Sequence, residues 1–174
     1  PEDLQQISDV DVVVNLAGEN IAGGRWSTSR KQKIRDSRIE SVRGMWKALR
    51  DSNVAPSVVI NASAVGYYGD RGHESLTETS APGEGFLAQT CQAWEKETFY
   101  PDDQAHFKTT RKVALRISLV LSTEGGALAK MLPAFQLNAG GRLGSGEAWM
   151  SWIHEQDLVK MILWSIEKSE VEGP

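Results

Sequence analysis

The feature that most constrains the fold is a short apolar run near the start of the chain, which stops abruptly at an asparagine. Residues 12–14 are three consecutive valines, and a run without a polar face is typical of a strand that is buried on both sides of a parallel sheet. Asn15 ends the run, and Ala17 and Gly18 follow with little or no side chain. Ligands of open α/β sheets bind outside the carboxyl ends of the strands, so these residues leave room for a cofactor that Asn15 can hydrogen-bond. They also fit a strand that ends in an ordinary turn.

The composition indicates one globular domain that spans residues 1–174. The chain is 40% hydrophobic and 24% charged, which is unlike a disordered or collagen-like chain and is enough for a sizeable core. Its net charge of −4 gives no reason to expect nucleic acid as a partner. No apolar run approaches the roughly 20 residues of a membrane span, and the first residues do not resemble a secretory leader. With one cysteine and three scattered histidines, we expect a cytoplasmic protein without a disulfide or a metal site.

Strand and helix patterns alternate along the chain. A helix is predicted from about Trp26 to Asp51, with Ser27 or Thr28 as its N-cap. The other predicted elements are strands over residues 57–63 and 113–121, and helices over residues 86–99, 126–135 and 155–168. The glycine-dense residues 140–146 favour a turn or a hairpin. This order of elements is typical of βαβ units and a parallel sheet.

Four ordered blocks of the sequence resemble a known family. They are NLAGENIAGGRW at 15–26, IRDSRIES at 34–41, SAVGYYG at 63–69 and GSGEAWMSWIH at 144–154. Together they are similar to the extended short-chain dehydrogenase/reductases, and more narrowly to an atypical subfamily described as NAD-dependent nucleotide-sugar epimerases. The resemblance implies a doubly wound Rossmann sheet that binds NAD or NADP where the strand order reverses. The predicted strands then correspond to strands four, five and six of that sheet, with a small glycine-rich hairpin over 140–154 on the substrate side.

The first βαβ half of the family pattern has no counterpart in this sequence. Its glycine-rich turn would hold the cofactor pyrophosphate at a helix N-terminus, and Gly23 and Gly24 lack the three-glycine spacing. The chain therefore matches a middle part of the family pattern. We expect the full pattern to bind the cofactor, and we expect this truncated form to bind it poorly and to be inactive. An unpaired edge would remain on the strand at residues 10–17, which predicts a homodimer through that strand as one outcome.

The resemblance also implies catalytic positions. In this superfamily a tyrosine, assisted by a lysine four residues later, takes a proton from the substrate while hydride passes to nicotinamide, and a serine or threonine orients the substrate. Ser63 matches that hydroxyl, although a serine that caps its own turn fits the same position. When Glu95 anchors the comparison, the tyrosine and lysine positions fall on Leu87 and Cys91, and neither residue can do this chemistry.

Two tyrosines near Ser63 are the remaining candidates for proton transfer. Tyr67 and Tyr68 are close enough in sequence to reach the same site, and the alternative is that they wall the pocket or pack against it. The resemblance implies cofactor contacts at Asn15, Leu16, Ala17, Gly18, Ser63 and Ala64, and substrate contacts at Arg25, Trp26, Trp149 and Trp152. For Arg25 and Trp26, the alternative is that they belong to a loop that Trp26 anchors.

Two classes of function follow from these residues. The first is an NAD(P)-dependent epimerase-like oxidoreductase that acts on a small-molecule substrate. The second is a non-catalytic binding or regulatory protein built on part of a Rossmann fold, and the absent tyrosine–lysine pair favours it. Three structural expectations accompany both. Cys91 is a small buried residue, and Arg116 finds a carboxylate partner or stays paired at the sheet edge. His154 with Asp157 begins a helix rather than acting as a catalytic pair.

Overall fold

Parallel strands alternate with helices throughout the protein, and the computed structural model describes residues 9–142 and 144–174. The main sheet consists of three parallel strands in the order β1 (Val12–Asn15), β2 (Val58–Ala64) and β3 (Arg111–Ile117). A second sheet pairs β4 (Leu119–Leu121) with β5 (Trp152–His154), also in parallel. The helices are α1 (Thr28–Asp51), α2 (Gly85–Phe99), α3 (Gly126–Gln136) and α4 (Glu155–Glu167). This architecture confirms the predicted partial Rossmann-like α/β class.

The helix boundaries follow from local capping. Ser27 is the N-cap of α1, and its hydroxyl accepts a hydrogen bond of 3.2 Å from the backbone N–H of Arg30. His154 is the N-cap of α4, where its Nδ1 atom accepts from the N–H of Gln156 at 3.2 Å. Asp157 lies in the first turn of α4, where a negative charge is favourable. The predicted N-cap Ser27 and the predicted helix start at His154 are therefore confirmed.

The core lies on both faces of β2. On one face, α1 contributes Val42, Trp46 and Leu49, which pack with β2 and with Trp94 of α2. On the other face, the apolar side chains of β2 and β3 pack against Met161, Ile162 and Ile166 of α4. Because helices cover both faces, every residue of β2 except the last is buried.

One strand prediction is wrong in detail. The predicted strand over 113–121 is interrupted at Ser118, so that β3 stays in the main sheet and β4 pairs with β5 instead. Residues 152–154 pair in parallel with β4, and the hairpin expected over 140–154 stays a prediction. Residue 143 lies outside the described residues.

The first strand is less buried than its sequence predicts. Val12 and Val13 are half-buried against opposite faces of the core, whereas Val14 is 39% exposed. Within the described residues β1 has a strand neighbour on one side only, namely β2, and this limits how much of it is covered.

Across the same residues, no helix combines the length and the apolar character that crossing a bilayer requires.

Candidate functional site

The carboxyl end of β1 lies beside β2 at a pair of asparagines. In the parallel register Asn15 is opposite Asn61, and its Nδ2 atom donates to Asn61 Oδ1 at 2.8 Å. Asn15 Oδ1 accepts from the backbone N–H of Ala17 at 3.2 Å and from the Ser41 hydroxyl at 3.1 Å. The Asn15 side chain therefore shapes the turn at the end of the strand.

The loop after β1 is fastened to α1 by two arginines. Arg30 donates from Nη1 to the Glu19 carboxylate at 2.6 Å and from Nη2 to the backbone carbonyl of Asn20. Arg38 donates from Nη1 to the backbone carbonyl of Glu19 at 3.1 Å. Leu16, Ala17 and Gly18, which the sequence predicts as cofactor contacts, are exposed on this loop.

A buried carboxylate connects β2, α2 and β3. Glu95 of α2 accepts a hydrogen bond of 2.5 Å from the hydroxyl of Ser63, which is 3% exposed. The same carboxylate accepts two bonds of 2.9 Å from Nε and Nη2 of Arg116. Arg116 thus has the carboxylate partner that the sequence predicts. The catalytic role of Ser63 stays a prediction, and in this structure its hydroxyl donates into the protein.

Arg116 also holds both candidate tyrosines. Its guanidinium lies 3.6 Å from the centre of the Tyr67 ring, and Nη1 donates to the Tyr68 hydroxyl at 2.8 Å. The same nitrogen donates to the backbone carbonyl of Glu78 at 2.9 Å. Burial acts to lower the pKa of Arg116, but its hydrogen bonds to Glu95 and Tyr68 outweigh burial and raise that pKa above the usual range. Arg116 therefore carries a permanent positive charge beside the two phenols.

The turn that carries the tyrosines, residues 65–68, crosses closely over Gly83. The N–H of Gly83 donates to the carbonyl of Tyr67 at 2.9 Å. A Cβ atom on Gly83 would lie only 2.1 Å from the carbonyl oxygen of Tyr68 and 2.7 Å from the backbone nitrogen of Gly69. Because the colliding atoms belong to the backbone, only a glycine permits this crossing.

Replacing Gly83 by alanine should displace the tyrosine turn. We expect a loss of about 1–3 kcal/mol in the free energy of unfolding, as for other overpacked sites, together with changed fluorescence of the neighbouring tyrosines. Gly72 has open space around the position of a Cβ atom but has a φ of +56°, so Gly72→Ala controls for backbone strain alone. Equal losses for the two variants would contradict the assignment of a steric crossing at Gly83.

The two positions implied for a tyrosine and a lysine face the same turn. A Cβ atom on Gly66 would lie 3.4 Å from Leu87 Cβ and 4.0 Å from Cys91 Sγ. Cys91 is 4% exposed, and burial together with the negative charge of Glu95 raises the pKa of its thiol to about 11. Cys91 is therefore a buried neutral thiol, as the sequence predicts, and supplies no cation.

The thiol of Cys91 gives a pH dependence with a defined sign. Because its pKa is raised from 9.0 to about 11 in the folded protein, its contribution to stability is complete below pH 9 and is lost as the pH rises toward 11. We expect the difference in unfolding free energy between the wild type and Cys91→Ala to fall over that interval, as measured by urea denaturation at each pH. A constant difference from pH 8 to pH 11 would contradict the raised pKa.

The predicted substrate residues occupy two exposed regions. Trp26 donates from Nε1 to the carbonyl of Ile21 at 2.9 Å and packs edge-on against Phe86, so it anchors its own loop. Trp149 is 79% exposed and donates to Nδ1 of His73 at 3.1 Å. Trp152 lies in β5 with an exposed side chain, and Arg25 is also exposed. Among the described residues, no hydrogen bond or ring contact joins any two of these four side chains.

Sequence reasoning missed two residues that shape the site. Asn61 is fully buried within β2 and is the hydrogen-bond partner of Asn15. Arg38 belongs to a run of basic residues whose pattern is typical of a solvated helix face, yet it is half-buried beside Gly18. A shallow cavity of about 210 Å³ lies elsewhere, against the later half of α1, and is lined by none of the predicted site residues. Within the described residues no cluster of His, Cys, Asp and Glu is arranged to hold a metal ion.

Sequence comparison identifies relatives over nearly the whole chain. The model of the NAD dependent epimerase/dehydratase family matches residues 2–174. An epimerase family protein of Mycobacterium leprae is 42% identical over 172 residues, which cover 99% of this chain and 54% of the relative. A chloroplastic epimerase family protein of Arabidopsis thaliana is 40% identical over 163 residues, which cover 92% of this chain and 45% of the relative. The chain thus spans about half the length of the curated relatives it matches.

Solved structures show the same fold. The structure of human epimerase family protein SDR39U1 (isoform 2) with NADPH has a TM-score of 0.88 and 31% identity, over 99% of this chain and 58% of the human chain. A nucleoside-diphosphate sugar epimerase from Corynebacterium glutamicum has a TM-score of 0.73 and 36% identity, over 94% of this chain and 33% of that chain. The chain belongs to the NAD dependent epimerase/dehydratase family.

Proposed function

We propose that this chain forms the nicotinamide and substrate side of the dinucleotide crevice in an NAD(P)-dependent, epimerase-like oxidoreductase. The observation that carries the proposal is the parallel pairing of β1 with β2, in which Asn15 at the end of β1 lies opposite Asn61 and β2 continues to Ala64. The loop at 15–18 and the segment at 63–68 therefore follow the carboxyl ends of two neighbouring parallel strands, at the same edge of the sheet. Ligands of doubly wound folds bind at that edge. The NADPH in the human relative supports the same choice of cofactor.

The residues at this edge fit the proposed cofactor. Ala17 and Gly18 are exposed and have small side chains or none, so a ribose or a nicotinamide ring can approach their backbone closely. Asn15 fixes that backbone, while Ser63 and Ala64 end the neighbouring strand. When bound, the cofactor would accept or donate the hydride, and this chain would contribute the surface against which the nicotinamide is oriented.

We further propose that the substrate is a nucleotide sugar or a related small hydroxy compound. Arg25 suits a phosphate or a carboxylate group, and Trp26, Trp149 and Trp152 suit stacking on a ring. Tyr67 and Tyr68 are the side chains that would exchange a proton with the substrate. Both are held by Arg116, which fixes the position of their rings at the strand end.

A second candidate is a non-catalytic protein that binds a dinucleotide or a related ligand. Leu87 and Cys91 favour it, because they put an apolar side chain and a neutral thiol against the turn at 65–68. The inward hydrogen bond of Ser63 to Glu95 favours it as well. Turnover of a nucleotide sugar by a cofactor-loaded protein that carries these residues would exclude this candidate.

Calorimetric titration of NADPH and NADH tests the proposal. It compares this chain with a version preceded by an N-terminal βαβ half of the family pattern. We expect weak binding by the chain alone and micromolar binding by the extended version, because the glycine-rich turn that holds the pyrophosphate belongs to that half. Micromolar binding by the chain alone would contradict the role given to the added half. Absence of binding by both would contradict the oxidoreductase proposal.

A further inference from the structure

We infer that Arg38 is an anion-binding residue at the end of β1, and that its guanidinium binds a phosphate or carboxylate group of a ligand. The inference rests on the proposed function for the source of that ligand, because the same strand end is the proposed cofactor edge.

Arg38 is held rigidly before any ligand arrives. It extends from α1, and its Nη1 atom donates to the carbonyl of Glu19 at 3.1 Å and to the carbonyl of Ile34 at 2.9 Å. Its guanidinium lies 5.1 Å from the centre of the Trp94 ring, which is buried in the core. A preorganised side chain of this kind loses little conformational entropy when it binds an anion.

The two nitrogens that remain form the edge of arginine that recognises carboxylates. Arg43, Arg71 and Arg116 each use Nε and Nη2 together to donate to the two oxygens of one glutamate. In Arg38 the same two nitrogens have no acceptor among residues 9–142 and 144–174. Neither Nε nor Nη2 of Arg38 is a buried polar atom that lacks a hydrogen-bond partner. Because they have no acceptor, both nitrogens must be accessible at the surface.

The nearby charges leave the Arg38 guanidinium without a paired carboxylate. The Glu19 carboxylate lies within electrostatic range of Arg38, but it is bound by Arg30 at 2.6 Å and by Lys33 at 3.4 Å. Cys91 also lies within electrostatic range, but its raised pKa keeps the thiol neutral. Burial lowers the pKa of Arg38, yet a guanidinium remains protonated at neutral pH. A bound oxyanion would therefore complete the local charge balance.

Gly18 controls access to this edge. A Cβ atom there would lie 3.2 Å from Arg38 Cζ and 3.5 Å from Nε. Glycine therefore leaves the Nε–H side of the guanidinium open toward the loop that the proposed cofactor would approach. Since Gly18 has no positive φ, Gly18→Ala restricts this access without adding backbone strain.

The test follows the side-chain Nε–H resonance of Arg38 by NMR while inorganic pyrophosphate is added to this chain. We expect a saturable shift of that resonance. Arg38→Met should weaken pyrophosphate binding by at least about tenfold, as expected for the loss of a charge-assisted bidentate pair. Arg38→Lys, which keeps the charge but not the paired donors, should weaken it less than Arg38→Met, and Gly18→Ala should weaken it as well.

Arg35→Met is the matched control, because Arg35 lies on the same helix with an exposed side chain and the substitution removes the same charge. Its affinity for pyrophosphate should equal that of the wild type. Equal weakening by Arg35→Met, or an unshifted Arg38 resonance at saturation, would overturn the inference. Competition between NADPH and pyrophosphate would assign the anion to the cofactor phosphates, and simultaneous binding would assign it to the substrate. If NADPH binds neither this chain nor the version extended by the N-terminal half, the proposed function fails while the pyrophosphate result still decides the role of Arg38.

Discussion

Replacing Glu95 by glutamine is expected to lower the free energy of unfolding by about 3–5 kcal/mol, because the substitution leaves a buried guanidinium without its counter-charge. Glu95 and Arg116 have side chains that are 7% and 8% exposed, so water cannot compensate the lost charge. The variant keeps the size of the side chain, which separates the electrostatic effect from a cavity. Urea denaturation monitored by circular dichroism gives the free energy.

The matched control is Glu97→Gln, two residues further along α2. The Glu97 carboxylate also accepts two hydrogen bonds from one arginine, from Nε and Nη2 of Arg43 at 2.9 and 2.7 Å. The Arg43 side chain, however, is 63% exposed. Exposed ion pairs contribute little because water and salt screen them. The control should therefore lose clearly less stability than Glu95→Gln. Equal losses would show that the carboxylate between Ser63 and Arg116 has no special structural role.

Replacing Phe107 by alanine should destabilise the protein to a similar extent, by about 3–5 kcal/mol, because it removes a large buried ring and leaves a cavity. Phe107 is 1% exposed, and its ring centre lies 4.6 Å from that of Trp46 on α1. It precedes β3 and packs into the same cluster as Val59 of β2. The ring thus connects a loop, a helix and the central strand.

Tyr100→Ala serves as the control for Phe107→Ala. Tyr100 is an aromatic residue in the same connection between α2 and β3, and it is 63% exposed. Its replacement should change the midpoint of urea denaturation only slightly. A small effect of Phe107→Ala would contradict the placement of this ring in the core.

Much of the architecture can be predicted because its signals are local. Ser27 caps α1 through its own hydroxyl, and the periodic apolar positions from Ile34 to Leu49 are the ones buried in the structure. Helices cover both faces of the central strand, so its residues 58–62 form an uninterrupted buried run, and that run predicts the strand. Each of these features depends on neighbours in sequence, so periodicity and capping chemistry are sufficient.

The errors arise where a partner distant in sequence decides the structure. The apolar residues after Ser118 continue the strand pattern, but β4 leaves the main sheet because β5, more than thirty residues later, pairs with it. The run of valines at 12–14 predicts full burial, whereas Val14 is exposed because the described part of the chain puts a strand on only one side of β1. No local pattern encodes either pairing.

The candidate site likewise combines features that local motifs predict with features that depend on distant partners. The family motifs identified the ends of β1 and β2, but they did not identify the side chains that hydrogen-bond to those segments. Arg38 is one of several basic residues on α1, and only its contacts with the loop after β1 distinguish it from a solvated arginine. The bond from Ser63 to Glu95 joins positions that are 32 residues apart, so the sequence alone could not show that this hydroxyl donates inward.

The central claim is that the ends of β1 and β2 form the cofactor edge, and NMR mapping of backbone amides during titration with NADPH tests it most directly. This method detects weak binding, so this chain can be used without additions. The largest shifts should occur at residues 15–18 and 63–68. Shifts concentrated around Arg43, Lys47 and Arg50, which line the cavity on the later half of α1, or no saturable shifts at all, would contradict the account.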